Sequence, residues 1–418
     1  MDKVVLAYSG GLDTSVAIRW LHENYNLEVV TLTIDLGAND RDLETIKERA
    51  ISIGAIKAEV IDAKDIFVKH FVFPALQAGA IYEGKYPLAT ALARPLIASL
   101  LVDVAHEEGA SYVAHGCTGK GNDQVRFDVA TAALAPDLKV IAPIREWKMS
   151  REEEIQYAIE RDIPIPITAA KPYSIDQNLW GRAIECGVLE DPWAEAPEDA
   201  FEWTRDIADT PDRPTFLEIE FEGGLPVALN GERLDGVELI DRVNAIAGEN
   251  GVGRIDVVEN RLVGIKSREV YEAPAAVVLH AAHSALEEVT LSKDSARFKQ
   301  IVAMQYADLA YNGLWFSSLH QDLAVYVASS QRHVTGTVRV KLLKGACQIN
   351  GRKSPYSLYS HSLATYDRSD TFDSSAAEGF ISIYGLPLRT QSRVQELRES
   401  AEALGLMPAK AETREQAR

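Results

Sequence analysis

Short continuous apolar runs alternate with stretches of helical spacing through the first third of the chain. Val4 to Ala7, Leu27 to Ile34, Lys57 to Ile61, Ser111 to His115 and Val140 to Ala142 read as strands. Ser15 to Asn24, Asp40 to Ile53, Ala89 to Glu108 and Arg151 to Glu160 read as helices. In the second of these helices Leu43, Ile46, Ala50 and Ile53 share one stripe and Gly54 ends it, while Pro95 interrupts the third near its start. Strands apolar on both faces, alternating with amphipathic helices, predict an α/β domain with a mainly parallel sheet. Its ligands sit beyond the carboxyl ends of the strands.

The texture changes after the Pro-spaced segment 163–167. Thr215 to Glu222 and Pro226 to Leu229 flank the hairpin signal Glu222-Gly223-Gly224. Arg254 to Val258, Leu262 to Lys266 and Val334 to Leu343 add strands, with Glu259-Asn260 as a turn, and Pro274 to Leu291 and Asp294 to Tyr311 add helices. This predicts an α+β second domain with a largely antiparallel sheet. From Phe372 the chain is charged and helix-forming, most clearly over Ser392 to Leu404, and it ends in a polar tail. An amphipathic helix at a terminus needs something to pack on, so an oligomerisation arm is expected. The expected division is residues 1–165, 166–371 and 372–418.

Composition narrows the functional classes. A formal net charge of -19 repels phosphate backbones, so no nucleic-acid partner is expected and any bound nucleotide is a small one. Cys117, Cys186 and Cys347 are odd in number and far apart, giving neither a disulfide framework nor a metal knuckle. The charged pair Asp2-Lys3 precedes a strand too short for a signal segment, and no apolar run has the length to span a bilayer. A cytoplasmic protein without membrane contact is expected.

The chemistry concentrates in two glycine loops. Ala7, Tyr8, Ser9, Gly10, Gly11, Leu12, Asp13, Thr14 and Ser15 join a strand to a helix start. Glycines there let the backbone approach a ligand, and free first-turn amides with nearby hydroxyls attract phosphate. An ordinary turn capped by Ser or Asp is the alternative. The second loop runs from Gly116 to Asp123, and its Thr118, Lys120, Asn122 and Asp123, with Arg126, suit a zwitterionic amino acid beside a nucleotide. It reads equally as a polar loop whose Asp123 caps a helix over Gln124 to Ala132. Ser174 and Asp176 in Tyr173 to Asn178, and Glu259 with Tyr271, form further clusters that have structural readings as caps and a turn. Three decoys fall away. Gly79 to Lys85 has Tyr86 where a Walker loop needs Ser or Thr, the pair His280 and His283 reads as satisfied histidines, and Cys117 reads as a small filler.

Ser9-Gly10-Gly11-Leu12-Asp13-Thr14-Ser15 resembles the SGGxDS-type loop of ATP pyrophosphatases. The wider set resembles the argininosuccinate synthase family: residues 7–15, Tyr82 to Tyr86 with Leu92-Ala93-Arg94-Pro95, His115 to Phe127, Gly253 to Arg261, and Ser354 to Tyr359. The resemblance implies an adenine nucleotide-binding domain, a synthetase domain and a C-terminal helical arm in a homotetramer. It implies the condensation of citrulline with aspartate through a citrullyl adenylate, with ATP, accompanied by Mg²⁺, going to AMP and pyrophosphate. Carried over by position, residues 7–15 and Gly116 match the ATP site, and Thr118, Asn122 and Asp123 the aspartate site. Tyr86, Asn122, Arg126, Ser174, Glu259 and Tyr271 match citrulline contacts. Arg126 is expected to hold a carboxylate bidentately, Glu259 to pair with an amino group, and Asp123 to pair with or deprotonate the attacking amine. No protein ligand of Mg²⁺ is assigned. Ala91 and Ala183 stand where the family often has Ser, which leaves two hydrogen bonds to backbone or water. A tRNA-modifying thiolase or amide synthetase of the same group, and a nucleotide-binding sensor, are the rival readings.

Overall fold

The strand Lys3–Ala7 (β1) buries Val4, Val5 and Leu6 completely, as a strand covered on both faces must. In the computed structural model, which describes residues 1–38, 42–164 and 173–408, it is the middle strand of a five-stranded parallel sheet. Its neighbours are Glu28–Asp35 (β2), Lys57–Asp62 (β3), Tyr112–Ala114 (β4) and Lys139–Ile141 (β5), in the order β3-β2-β1-β4-β5. Val4 and Leu6 point to one side, into a core with Val16, Ile18 and Leu21 of the helix Leu12–Tyr25 and Ile46, Ala50 and Ile53 of the helix Leu43–Ile53. Val5 points to the other, against Ala98, Leu101 and Val104 of the helix Ala89–Glu107 and Phe127 of the helix Asp123–Leu134.

Chain order reverses direction at β1. The chain builds outward through β2 and β3 and then returns to place β4 on the other flank of β1, with Leu6 opposite Ala114. Loops leaving β1 and β4 therefore start side by side at the carboxyl edge, where open α/β sheets bind ligands.

The remaining strands are Ser174–Asn178 (β6), Gly181–Glu185 (β7), Thr215–Glu222 (β8), Leu225–Leu229 (β9), Glu232–Arg233 (β10), Arg254–Asn260 (β11), Lys266–Glu272 (β12), Gly336–Leu343 (β13) and Ala346–Lys353 (β14). They form a four-stranded sheet, β11-β12-β7-β6, and a five-stranded sheet, β10-β9-β8-β13-β14, and every pairing in both is antiparallel. The α/β and α+β character read from the sequence is present. The division at 165 falls among residues outside those described, as do the start of the helix expected from Asp40 and the end of the polar tail.

Several elements differ from expectation. Glu259 and Asn260 are strand residues. Arg261 N–H bonds to Ile265 O and Gly264 has φ +85°, which places the hairpin tip after Asn260 and the second strand at Lys266–Glu272 instead of Leu262 to Lys266. Ser174 and Asp176 lie in β6 and cap nothing. The helices Gly236–Glu249 and Ser318–Ser330 and the strand β14 carry no cue that the periodicity picked out. The helix Ala89–Glu107 continues through Pro95, and it is long and apolar enough to cross a membrane, yet most of it is buried between the sheets.

By contact the chain divides into residues 1–358 and 359–418. In the second unit, the helices Ala376–Tyr384, Leu386–Gln395 and Leu397–Ala403 bury no residue and leave Phe380, Ile381, Ile383, Tyr384 and Leu388 exposed. Glu396, at φ +46°, breaks the helix expected over Ser392 to Leu404.

Candidate active site

Gly10 sits at φ +78°, a left-handed conformation that favours glycine, and a Cβ there would meet Ile46 Cγ1 at 2.9 Å. Arg49 fixes the turn by donating to Gly10 O at 2.8 Å. Gly11 is the N-cap and no side chain caps it, so neither Ser9 nor Asp13 takes the ordinary capping role. The first helical hydrogen bond runs from Ser15 N–H to Gly11 O, which leaves the amides of residues 12 to 14 facing outward. Ser9 Oγ lies 3.0 Å from Thr14 Oγ1 and accepts from Gly11 N–H at 3.3 Å, so two hydroxyls line this turn. Ser15 does not join them: it is fully buried and its hydroxyl pairs with Tyr8 OH at 3.0 Å. Tyr8 and Leu12 are buried as well, and their contribution to the loop is backbone.

The second loop is seated on the first. A Cβ on Gly116 would fall 2.7 Å from Thr14 Cγ2, so only glycine lets the two approach this closely. Beyond it, Thr118 and Lys120 are exposed on the loop, and Asn122 and Asp123 turn inward. His115 and Asp128 bond at 2.8 Å below the loop, with Arg145 on the other oxygen of Asp128. Burial pushes the Cys117 thiol up, which agrees with an inert filler.

A cavity of about 110 Å³ opens beside this loop. Tyr86, Asn122, Asp123, Arg126, Ser174, Glu259 and Tyr271, drawn from five separate segments, all line it. Thr118 does not. Ala183 lines it with a methyl group, whereas Ala91 is fully buried behind it.

The polar groups inside are paired in an ordered way. Asp123 is not a helix cap: its oxygens accept from Arg94 at 2.8 Å and Arg126 at 2.9 Å, and Arg94 also holds Asp176. Burial works to raise the Asp123 carboxyl, but the two guanidinium groups outweigh it and hold it below the usual range. Arg126 spends Nε on Tyr311 O at 2.9 Å and Nη1 on Asp123, and Nη2 is buried with no partner among the described residues. The fork expected to grip a carboxylate bidentately thus has one nitrogen, Nη2, without a partner among the described residues.

Glu259, only 3% exposed, accepts from Tyr271 OH at 2.8 Å and Tyr311 OH at 2.6 Å. Burial raises its carboxyl above the ordinary value against the pull of both phenols. Tyr311 OH also accepts from Asn122 Nδ2 at 2.8 Å, while Asn122 Oδ1 accepts from Leu262 N–H. Tyr86 stacks on Tyr271 with ring centroids 4.3 Å apart, and its hydroxyl accepts from Thr90 N–H. The stacked tyrosines and the Asn122–Tyr311–Glu259 chain make a preorganised wall.

Arg94, Glu185, Arg261, Glu269 and Tyr311 were not singled out as site residues from sequence, and Asp176 appeared there only within a cluster with a capping alternative. Arg94 and Arg261 stand inside quoted motifs, and the alternation Ser267, Glu269, Tyr271 along β12 marks one sheet face; Tyr311, at a helix end, carries no local signal. Among the decoys, Gly79 caps a helix at φ +70° and no strand precedes it. His283 bonds Gln331 at 2.8 Å, but buried His280 Nε2 has no partner among the described residues, so only one of the pair is satisfied. No group of three or more potential metal ligands occurs among the described residues.

Residues 3–164 match the arginosuccinate synthase N-terminal HUP domain and residues 173–391 the C-terminal domain of the same family. An argininosuccinate synthase of Dehalococcoides mccartyi is 59% identical over 398 residues, 95% of this chain and 98% of its own. That of Symbiobacterium thermophilum is 61% identical over 394 residues, 94% of this chain and 98% of its own. A Bacillus cereus relative of the same name is 58% identical over 399 residues, 96% and 99% of the two chains.

Proposed function

The chain belongs to the argininosuccinate synthase family, and we propose how its own residues divide the work of joining citrulline to aspartate at the expense of ATP. The observation that carries the reading is the single cavity that gathers Tyr86, Asn122, Asp123, Arg126, Ser174, Glu259 and Tyr271, next to a loop seated on Thr14 through Gly116.

Residues 7–15 hold the ATP phosphates, with outward amides and the Ser9 and Thr14 hydroxyls on the pyrophosphate that departs. Gly116 closes the nucleotide side. Asp13 is the carboxylate at this turn, and one carboxylate with phosphates and waters suits Mg²⁺ carried in on ATP. Held there, the ion would neutralise phosphate charge, and the protein supplies the alignment.

Citrulline lies in the cavity with its ureido oxygen toward the α-phosphorus. That oxygen forms the new P–O bond as the bond to pyrophosphate breaks, giving citrullyl-AMP. The neutral amine of aspartate then adds to the activated carbon, loses one proton to solvent, and AMP leaves with the former ureido oxygen. A ureido oxygen is a weak nucleophile, so alignment by Tyr86, Ser174, Glu259 and Tyr271 carries the first step. Arg126 Nη2 awaits a carboxylate. Asp123, held below the usual carboxylate range, is a poor proton acceptor, and its part is to orient an amine by charge, with Asn122 and Thr118 on the aspartate side.

Residues 1–165 form the nucleotide-binding domain, 166–371 the synthetase domain and 372–418 an arm whose exposed apolar residues pack in a homotetramer in the cytoplasm. Incubation with Mg-ATP, citrulline and aspartate tests the reading. AMP and pyrophosphate form only when citrulline is present; ADP, or AMP independent of citrulline, refutes it.

A further inference from the structure

One wall of the cavity is a face of the β11-β12-β7-β6 sheet, and on it lies a carboxylate with no assigned role. Side chains alternate along β12, so Glu269 shares the face of Tyr271. The pairing of Val270 with Ile184 and Tyr271 with Ala183 sets Glu269 beside Glu185 on β7. Like charges on neighbouring strands repel. Arg261, at the hairpin tip, holds both, reaching Glu269 Oε1 at 2.6 Å and pairing with Glu185 as well.

Ser267 Oγ donates to Glu269 Oε1 too, at 2.9 Å. Both bonds fall on one oxygen, and no donor among the described residues reaches Oε2, although Glu269 is only 5% exposed. Charge balance points the same way. Asp123 and Asp176 are matched by Arg94 and Arg126. Glu185 and Glu269 share one guanidinium, which leaves a surplus negative charge at the cavity. Ala183, paired with Tyr271 on the same sheet, contributes only a methyl group to the cavity.

Resting on the reading above, we infer that Glu269 Oε2 is a specificity-determining contact of the known reaction, receiving the α-ammonium group of citrulline beside Glu259. Glu259 already accepts two phenol donors, whereas no donor among the described residues reaches Glu269 Oε2. Burial first, then Glu185 and, to a smaller extent, Glu259 push Glu269 up to about 7 against the pull of Arg261. Ionised Glu269 is the binding form, so citrulline affinity grows as pH rises through that value.

Glu269→Gln keeps an acceptor for Arg261 and Ser267 and removes the charge. Steady-state kinetics are compared for citrulline and for 5-ureidopentanoate, which lacks the amino group. The KM of citrulline rises about tenfold, ATP and aspartate constants stay within about twofold, and the preference for citrulline over the analogue shrinks by about tenfold. An unchanged preference overturns the assignment. In the wild-type enzyme, the citrulline KM falls between about pH 6 and 8 while that of the analogue stays level; parallel curves overturn it without reference to how well the variant folds. Absence of citrulline-dependent AMP formation in wild type refutes the parent reading, whereas normal turnover with unaltered preference removes this assignment alone.

Discussion

Tyr311→Phe removes one buried oxygen that supports two residues of the cavity wall, Asn122 and Glu259, and leaves its ring. The ring packs parallel to Tyr82 with centroids 3.5 Å apart and lies 4.9 Å from the Arg126 guanidinium carbon, and phenylalanine keeps both contacts. What goes is a pair of buried hydrogen bonds, from Asn122 Nδ2 at 2.8 Å and to Glu259 Oε1 at 2.6 Å. A bond to a charged group contributes about 1.5–3 kcal/mol, so citrulline kcat/KM falls by about 10- to 150-fold. Loss of a donor also lets the Glu259 carboxyl rise further, which moves the citrulline profile to higher pH. Citrulline-dependent pyrophosphate release, measured across pH, reads both effects. Tyr82→Phe is the control, since its hydroxyl goes to Asn260 O at the surface and its loss changes kcat/KM by less than about twofold. A Tyr311→Phe enzyme with wild-type citrulline kinetics, or with ATP kinetics impaired to the same degree, refutes the reasoning.

Gly116→Ala drives a methyl group to 2.7 Å from Thr14 Cγ2; overpacking of about 1–3 kcal/mol weakens ATP binding by about 5- to 150-fold in equilibrium titration and leaves citrulline kinetics at saturating ATP less affected. Asp123→Asn takes a charge from between Arg94 and Arg126, and rapid-quench experiments will show adenylate formation surviving better than argininosuccinate release; equal loss removes the role given to Asp123. Glu154, buried behind the phosphate loop, is pushed up to about 8 by burial and by its hydrogen bond to Asp13. The folded state therefore holds its proton after the unfolded chain has lost it, and stability from this group falls as pH rises from about 4.5 to 8, by at most a few kcal/mol. Glu154→Gln flattens that slope and raises the melting temperature at pH 8 relative to wild type; parallel melting profiles contradict it.

The parallel sheet was legible because Val4, Val5 and Leu6 are apolar on both faces, a pattern that few other arrangements satisfy. Its edge loops were legible because glycine and hydroxyl residues cluster directly after two of those strands. The hairpin over 254–272 was not: Glu259 and Asn260 look like turn residues, and the true tip at Gly264 was passed over. That shift hid Ser267 and Glu269, which share a face of the strand with Tyr271. Arg94, Asp176 and Tyr311 act through partners 29 to 189 residues away, and spacing along a chain records no such distances. Ser15 shows the opposite failure, since a hydroxyl in a phosphate-loop motif is turned into the core by Tyr8.

The central claim is that the ureido oxygen of citrulline attacks the α-phosphorus of ATP. Citrulline labelled with heavy oxygen in the ureido group, turned over with Mg-ATP and aspartate, tests it by mass spectrometry of the nucleotide. One labelled oxygen per molecule is predicted in AMP and none in pyrophosphate. Label in pyrophosphate or in water, or unlabelled AMP accompanying argininosuccinate, would contradict the account.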